Sequence, residues 1–491
     1  MSHFNAVQYD SLLERLDIAV LSYREVRTEN QKFRIDDGFF SKLAVSTQRR
    51  IEAMPHIRLG DACSTFRKGI FDIKADTYVP HGVPFVRIGD LAGGLIDDSN
   101  LAYITESKHE EEHKTGLTYG DIILSKTAYP AAAFVNLKMC NVSQDTIAIR
   151  LAQSWQRKLY SGYVVTFLNT TYGLALMQRQ FQGNVQLHLS LPDAKQLPIP
   201  LFEERFQKLV HSKVESAHHL LVEAEKQRHR AEEVFVEVLG LREWTPAETL
   251  SCTRPLSEVF RNKRIDAEHY REKYYAVKKR LSAAGASDFV PLGTMLTTLT
   301  NGHTPLRHDL RVGDVPFLCA EHVSNFEVHY RSEKRILIDH HRTELARTAL
   351  REGDILLTIK GRVGNAALAE GVPRHVNINQ DVALLRLDTE MPVWFVLAFL
   401  NSLFGRLLVE QLATGGINPF LGLANVRKID VPKLAAPVMS EIAKTTKQLV
   451  HEARRNRQDA EKILHNVKRA VEIAVEHDEK TALDYLSEEK P

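Results

Sequence analysis

A chain of 491 residues is too long for one ordinary hydrophobic core, and a prior of roughly 100–200 residues per domain points to about three compact units. With 44% hydrophobic and 26% charged residues, no apolar run near the roughly 18 residues of a membrane span and no export signal after Met1, a soluble, cytoplasmic protein is expected. The net charge of +2 neither supports nor excludes a polyanionic partner, and the four cysteines, Cys63, Cys140, Cys252 and Cys319, have neither zinc nor disulfide spacing.

In chain order, a lead-in over 1–54 carries Arg34-Ile35-Asp36. Residues 55–200 alternate short β-branched runs, such as Ile122-Ile123-Leu124, with Gly, Pro and Asn turn signals and a helical stretch, which reads as a compact α+β domain. A long helix and linker fill 201–250. Its positions Val210, Val214, Ala217, Leu221, Ala224, Arg228, Ala231, Phe235 and Val238 alternate four- and three-residue steps, a coiled-coil seam interrupted by one arginine. A connecting segment at 251–286 leads to a second α+β domain at 287–434. A distal helix over 435–491 repeats the seam from Ile442 through Thr446, Leu449, Ala453, Asn456, Ala460, Ile463, Val467 and Ala470 to Ala474. A period of 3.5 held over four or more heptads favours helix-on-helix packing over a helix lying on its own domain, which needs a wider apolar stripe.

The second half repeats the first in one order. Arg34-Ile35-Asp36 answers to Arg264-Ile265-Asp266, Leu59-Gly60 to Leu292-Gly293, and Val83-Pro84-Phe85 to Val315-Pro316-Phe317. Gly120-Asp121-Ile122 pairs with Gly353-Asp354-Ile355, Asn141 to Asp145 with Asn377 to Asp381, and Phe167-Leu168-Asn169 with Phe399-Leu400-Asn401. Both copies close on a short strand, Leu197-Pro198-Ile199-Pro200 and Ile429-Asp430-Val431-Pro432, and run straight into the long helices.

This order of domain, long helix, similar domain and long helix resembles the DNA-specificity subunit of Type I restriction-modification systems. The closest likeness is at Gly353-Asp354-Ile355-Leu356-Leu357-Thr358-Ile359-Lys360-Gly361-Arg362-Val363-Gly364-Asn365 and at Asn377-Ile378-Asn379-Gln380-Asp381-Val382, which look like that family's target recognition domain; Ser125-Lys126-Thr127-Ala128-Tyr129 is a looser match. The resemblance implies two target recognition domains at the ends of an antiparallel pair of long helices. It also implies a non-catalytic chain that reads a bipartite site in double-stranded DNA and positions two modification subunits and, where present, restriction or translocase subunits. No cofactor is expected in this chain. S-adenosylmethionine belongs to the modification subunits, and ATP and magnesium to a restriction subunit. The other class of reading is a coiled-coil scaffold whose paired domains hold protein partners.

Base readout needs Arg or Lys for guanine and Asn or Gln for adenine on loops held by phosphate contacts. Three loop pairs offer them. Arg67 and Lys68 follow the first strand and correspond to Asn301 and His303. Lys126 and Thr127 correspond to the loop of Lys360, Arg362 and Asn365. Asn184 and Gln186 correspond to Asn418. Gln144-Asp145 and Gln380-Asp381 are alike in both copies and are assigned to holding loops. His109-Glu110-Glu111-Glu112-His113 matches the H-E-x-x-H zinc pattern, but a nearly all-charged helix has no apolar side to bury behind a metal. Asn418-Pro419-Phe420 lacks the second proline of an amino-methyltransferase motif, and no phosphate-binding loop is present.

Overall fold

A computed structural model describes residues 21–29, 34, 36, 38–71, 73–183, 187–247, 249, 251–305 and 309–488. The chain forms two compact units, Met1–Val222 with Asn456–Pro491, and Glu223–Arg455. It is a mixed α+β protein with two long helices, Glu204–Val238 and Ala436–Glu476, and the boundary between the units falls within each of them.

The central sheet of the first unit runs in the order Cys63–Lys68, Thr146–Leu151, Ile122–Ser125, Ala132–Phe134, Leu95–Ile96, Leu91–Ala92. In the second unit the order is Leu296–Asn301, Val382–Leu387, Ile355–Thr358, Ala366–Leu368. The apolar runs predicted as strands are buried at every position because each strand separates two cores, and successive side chains point to opposite faces. Ile122, Leu124, Ile147 and Ile149 face helices, while Ile123 and Ala148 face a second, smaller sheet. Likewise Ile355, Leu357, Ala383 and Leu385 face helices, while Leu356, Val382 and Leu384 face the other way. In each smaller sheet a strand pairs in parallel across a crossover, Phe85 with Asn141 and Phe317 with Asn377.

A two-stranded ribbon closes each unit, with Ile57 opposite Ile199 and Val290 opposite Val431. The helical layer has two helices in tandem, the second of which buries only one face. In the first unit Thr170 caps Thr171–Gln180 through the Gly173 amide; in the second, Ser402 caps Leu403–Leu412 through Gly405. The preceding helix Val393–Asn401 is buried from Trp394 onward, which explains its apolar sequence up to Asn401. Among the described residues no single helix is long and apolar enough to cross a membrane.

The long helices contribute to these cores. In the first unit Val210, Val214, Val467, Ala470 and Ala474 are buried in one cluster with the domain's own Tyr163 and Phe167; in the second, Ala231, Phe235, Ile442 and Leu449 are buried with Phe395 and Phe399. Arg228, the polar seam position, is only partly exposed and is paired with Glu225 and Glu232.

The segments read as lead-in and connector are built into the units as well. Helix Lys42–Glu52 buries Ile51 in the first core, and helix Glu272–Ala283 buries Tyr274, Val277 and Leu281 in the second.

Candidate nucleic-acid interface

Four polar devices recur in both units and set the geometry of the loops. The Asn141 carbonyl oxygen accepts from Thr115 Oγ1 at 2.7 Å, and its Nδ2 faces His109 Nδ1 at 3.3 Å; Asn377 repeats this with Thr348 at 2.6 Å and His341 at 3.1 Å. Arg150 pairs with the buried Asp121 carboxylate at 2.5 Å, as Arg386 does with Asp354 at 2.7 Å. Asn169 and Asn401 each donate at 2.8 Å to the carbonyl of a neighbouring strand, at Ala132 and Ala366. Arg34 and Arg264, the arginines of the repeated triplets, cap helix ends. Arg34 donates to the Arg179 and Phe181 carbonyls at 2.7 and 2.9 Å, and Arg264 to those of Gln411, Leu412 and Ala413 at 3.3, 3.2 and 3.0 Å. Asp36 and Asp266 hold the guanidinium groups, which in turn keep both carboxyls below the usual aspartate range. The Ile35 position lies outside the described residues.

His109 thus serves the core of the first unit. The helix Glu106–Glu111 ends before His113, whose Nδ1 bonds the Glu110 carbonyl at 3.1 Å, so the two imidazoles of the H-E-x-x-H match are engaged separately. Elsewhere among the described residues, Cys319, Glu321 and His322 lie close enough to share a cation, but the Lys334 ammonium already stands 2.9 Å from Glu321 and 3.5 Å from the Cys319 sulfur. His322 Nδ1 accepts the Cys319 amide at 3.0 Å, and burial lowers the pKa of this histidine and raises that of Cys319.

The sheet register brings the loops together. Lys68 lies opposite Ile147, and Ser125 opposite Thr146; in the second unit Asn301 lies opposite Ala383, and Thr358 opposite Val382. The loops after the first strand, after the central strand and before the strand between them therefore leave one edge of the sheet. Close packing holds them there: a Cβ on Gly69 would lie 2.2 Å from the Ser143 carbonyl oxygen, and one on Gly302 1.7 Å from that of Ile378. The third loop joins through a backbone bridge between Thr127 and His188 in the first unit and between Lys360 and Phe420 in the second. In the second unit Asn301 Nδ2 donates to the Gln380 carbonyl at 3.3 Å, Thr304 to the Gln380 side chain at 2.9 Å, and Asn379 to Asp381 at 2.7 Å.

On these edges Arg67, Lys360, Arg362 and Asn418 are exposed. Lys68 and Lys126 are half-buried, and burial followed by the nearby Lys68 ammonium lowers the Lys126 pKa, outweighing the opposite pull of the Asp145 carboxylate. His303 is tied at 3.2 Å to Glu344.

Two expected readers are placed differently. Thr127 is buried, at 3% exposure, although it is the structural equivalent of the exposed Lys360; Lys126 corresponds to the buried Ile359, so the cation sits one residue apart in the two copies. Asn365 donates its side-chain amide to the Val323 carbonyl at 3.1 Å and its backbone amide to Thr358, which fixes the loop rather than presenting a donor. Asn184 and Gln186 lie outside the described residues.

The edges also carry groups that residue-type reasoning passed over. Arg347, exposed, donates to the Asn301 carbonyl at 3.3 Å; Phe71, 69% exposed, lies 4.5 Å beneath the Lys68 ammonium; Ile417 stands almost fully exposed beside Asn418. Isolated Arg and Ile residues carry no periodic signal, so only placement reveals them.

No protein-family profile matches the sequence, and no curated relative does. Among solved structures, the S subunit of a Type I restriction-modification system from M. genitalium is 14% identical, with 84% of this chain and 94% of that chain covered and a TM-score of 0.42. The HsdS subunit from Thermoanaerobacter tengcongensis is 13% identical, with 86% and 96% covered and a TM-score of 0.27. The type IIG restriction endonuclease BpuSI is 10% identical over 44% of this chain and 35% of its own, with a TM-score of 0.28. Over most of its length, this chain is similar to S subunits of Type I restriction-modification systems.

Proposed function

We propose that this chain is the sequence-specific DNA-binding subunit of a Type I restriction-modification system, in which each unit reads one half of a bipartite site. One observation carries this reading: the two units share their buried polar scaffold residue for residue, yet the loops that this scaffold gathers at one sheet edge differ in their exposed side chains. Duplication of a frame with divergence at its tips is what two readers of different bases require. Arg67, Lys68 and Lys126 serve the first half-site, and Lys360, Arg362, Asn418, Asn301 and His303 the second. Asn184 and Gln186 extend the first set.

The long helices act as an antiparallel coiled-coil spacer along which two modification subunits bind. Those subunits bring S-adenosylmethionine and the pocket for the extruded adenine, and a restriction subunit brings ATP and magnesium. This chain supplies the address and holds no cofactor. The seam residues buried in each unit's own core support a spacer continuous with the domains it separates. Mapping methylated bases in a host with and without the gene tests the reading. A split motif methylated only when the gene is present is expected, and unchanged methylation would favour a protein-binding scaffold.

A further inference from the structure

We infer that Ile417 determines specificity by packing against the 5-methyl group of a thymine in the half-site read by the second unit, an inference that rests on the DNA-binding function proposed above. Ile417 is 97% exposed at the tip of the loop joining Thr414 to Phe420. A lone exposed apolar side chain is ordinary on a protein surface. This one differs in how its support is built.

Thr414 and Phe420 exchange backbone hydrogen bonds at 2.8 Å in both directions. Phe420 is bridged to Lys360, and the Leu421 amide donates to the Ile359 carbonyl at 2.9 Å, so the stem is sewn to the central strand's loop. At its root the Arg264 guanidinium holds three consecutive carbonyls, Gln411 to Ala413. Gly415, at φ +90°, makes a turn whose Cβ would fall 2.7 Å from the Asn418 carbonyl oxygen. The stem is fixed from three sides, while the tip makes no contact that accounts for such construction. A β-branched side chain with restricted χ1 loses little freedom when a surface closes on it.

The partner follows from chemistry. The neighbouring loop carries the exposed cations Lys360 and Arg362, which suit phosphates or guanine. An isoleucine side chain has no donor or acceptor and cannot read a hydrogen-bonding pattern. The apolar group that a base pair presents in the major groove is the thymine methyl.

The test uses the chain assembled with its modification subunits and a duplex bearing the mapped site. Each thymine of the second unit's half-site, on either strand, is replaced in turn by deoxyuridine, which removes only the methyl. At one position the wild-type complex should bind the deoxyuridine duplex about fourfold more weakly, the factor for one buried methyl-sized group. Ile417→Ala should bind the natural duplex about fourfold more weakly, ignore the substitution at that position, and keep its melting temperature and its response to the other half-site. A half-site without A·T pairs, no sensitive thymine, or an unchanged methyl response in Ile417→Ala would each overturn the inference. A variant that alters 2-aminopurine fluorescence at a base step without any methyl dependence would replace it with a wedge between bases. Wild-type complex without sequence-dependent DNA binding would remove the proposed function itself, a result distinct from all of these.

Discussion

The Asn377 side chain holds the His341 ring, amide nitrogen to Nδ1, at 3.1 Å inside the second unit. Its carbonyl oxygen takes the Thr348 hydroxyl, and its Nδ2 also reaches the Leu345 carbonyl at 3.0 Å. Replacing Asn377 by Leu strands all three partners where water does not reach. The expected loss is about 2–3 kcal/mol, the penalty for leaving buried polar groups unpaired. Thermal and urea unfolding check it, and an unchanged melting temperature would contradict the scaffold role. Asn141→Leu should act likewise in the first unit.

Stability should fall on mild acidification. His341 accepts the Asn377 amide and His211 Nδ1 accepts the Gly162 amide at 3.1 Å, so both rings are neutral when folded, and burial lowers both pKa values from 6.5. A histidine depressed in the folded state contributes full stability above its unfolded pKa; that contribution is lost as pH falls from about 6.5 toward the lower folded value. Melting temperatures measured from pH 7.5 to 5.5 should decline, and His211→Gln should flatten part of the decline.

Phosphate contacts should appear in the salt dependence of DNA binding. Lys360→Ala with Arg362→Ala should reduce the slope of log affinity against log salt by about two, or relax the second half-site alone. Lys68→Ala with Lys126→Ala should do the same for the first. Affinity that ignores salt, with modification subunits present, would exclude both.

Specificity should transfer with the whole unit. Because Arg264 and the helix Glu272–Ala283 pack against the second domain, exchange of 251–434 for another such domain should change one half-site and leave the protein stable. Exchange of 287–434 alone severs these contacts and should lower the melting temperature. A change in both half-sites would contradict modular reading.

The spacer can be tested by length. One heptad inserted after Ala224, with a compensating heptad in the partner helix, adds about 10.5 Å, or roughly three base pairs of separation at about 3.4 Å each. Methylation mapping should show the same half-sequences farther apart, or lost binding where rotation about the duplex defeats docking. An active series with constant spacing would refute the ruler.

The duplication and the strands were legible along the chain, because each is a local pattern repeated in order. Ile122-Ile123-Leu124 and Ile355-Leu356-Leu357 read as buried strands because a two-faced core demands an apolar residue at every position. The loops were legible by their polar and glycine content, and their gathering at one edge followed only when register was known. Three things belonged to the tertiary structure alone. Arg34 and Arg264 were visible as a repeated triplet, but their work is on carbonyls about 150 residues away, a separation no local pattern encodes. His109 and His341 sit at unlike local motifs yet meet equivalent asparagines, Asn141 and Asn377, because burial selects a ring nitrogen and not a spacing. Thr127 and Lys360 occupy one position in two copies, and whether that side chain is buried or offered to a partner was decided by the side-chain packing and backbone bridge around it, which residue type does not reveal.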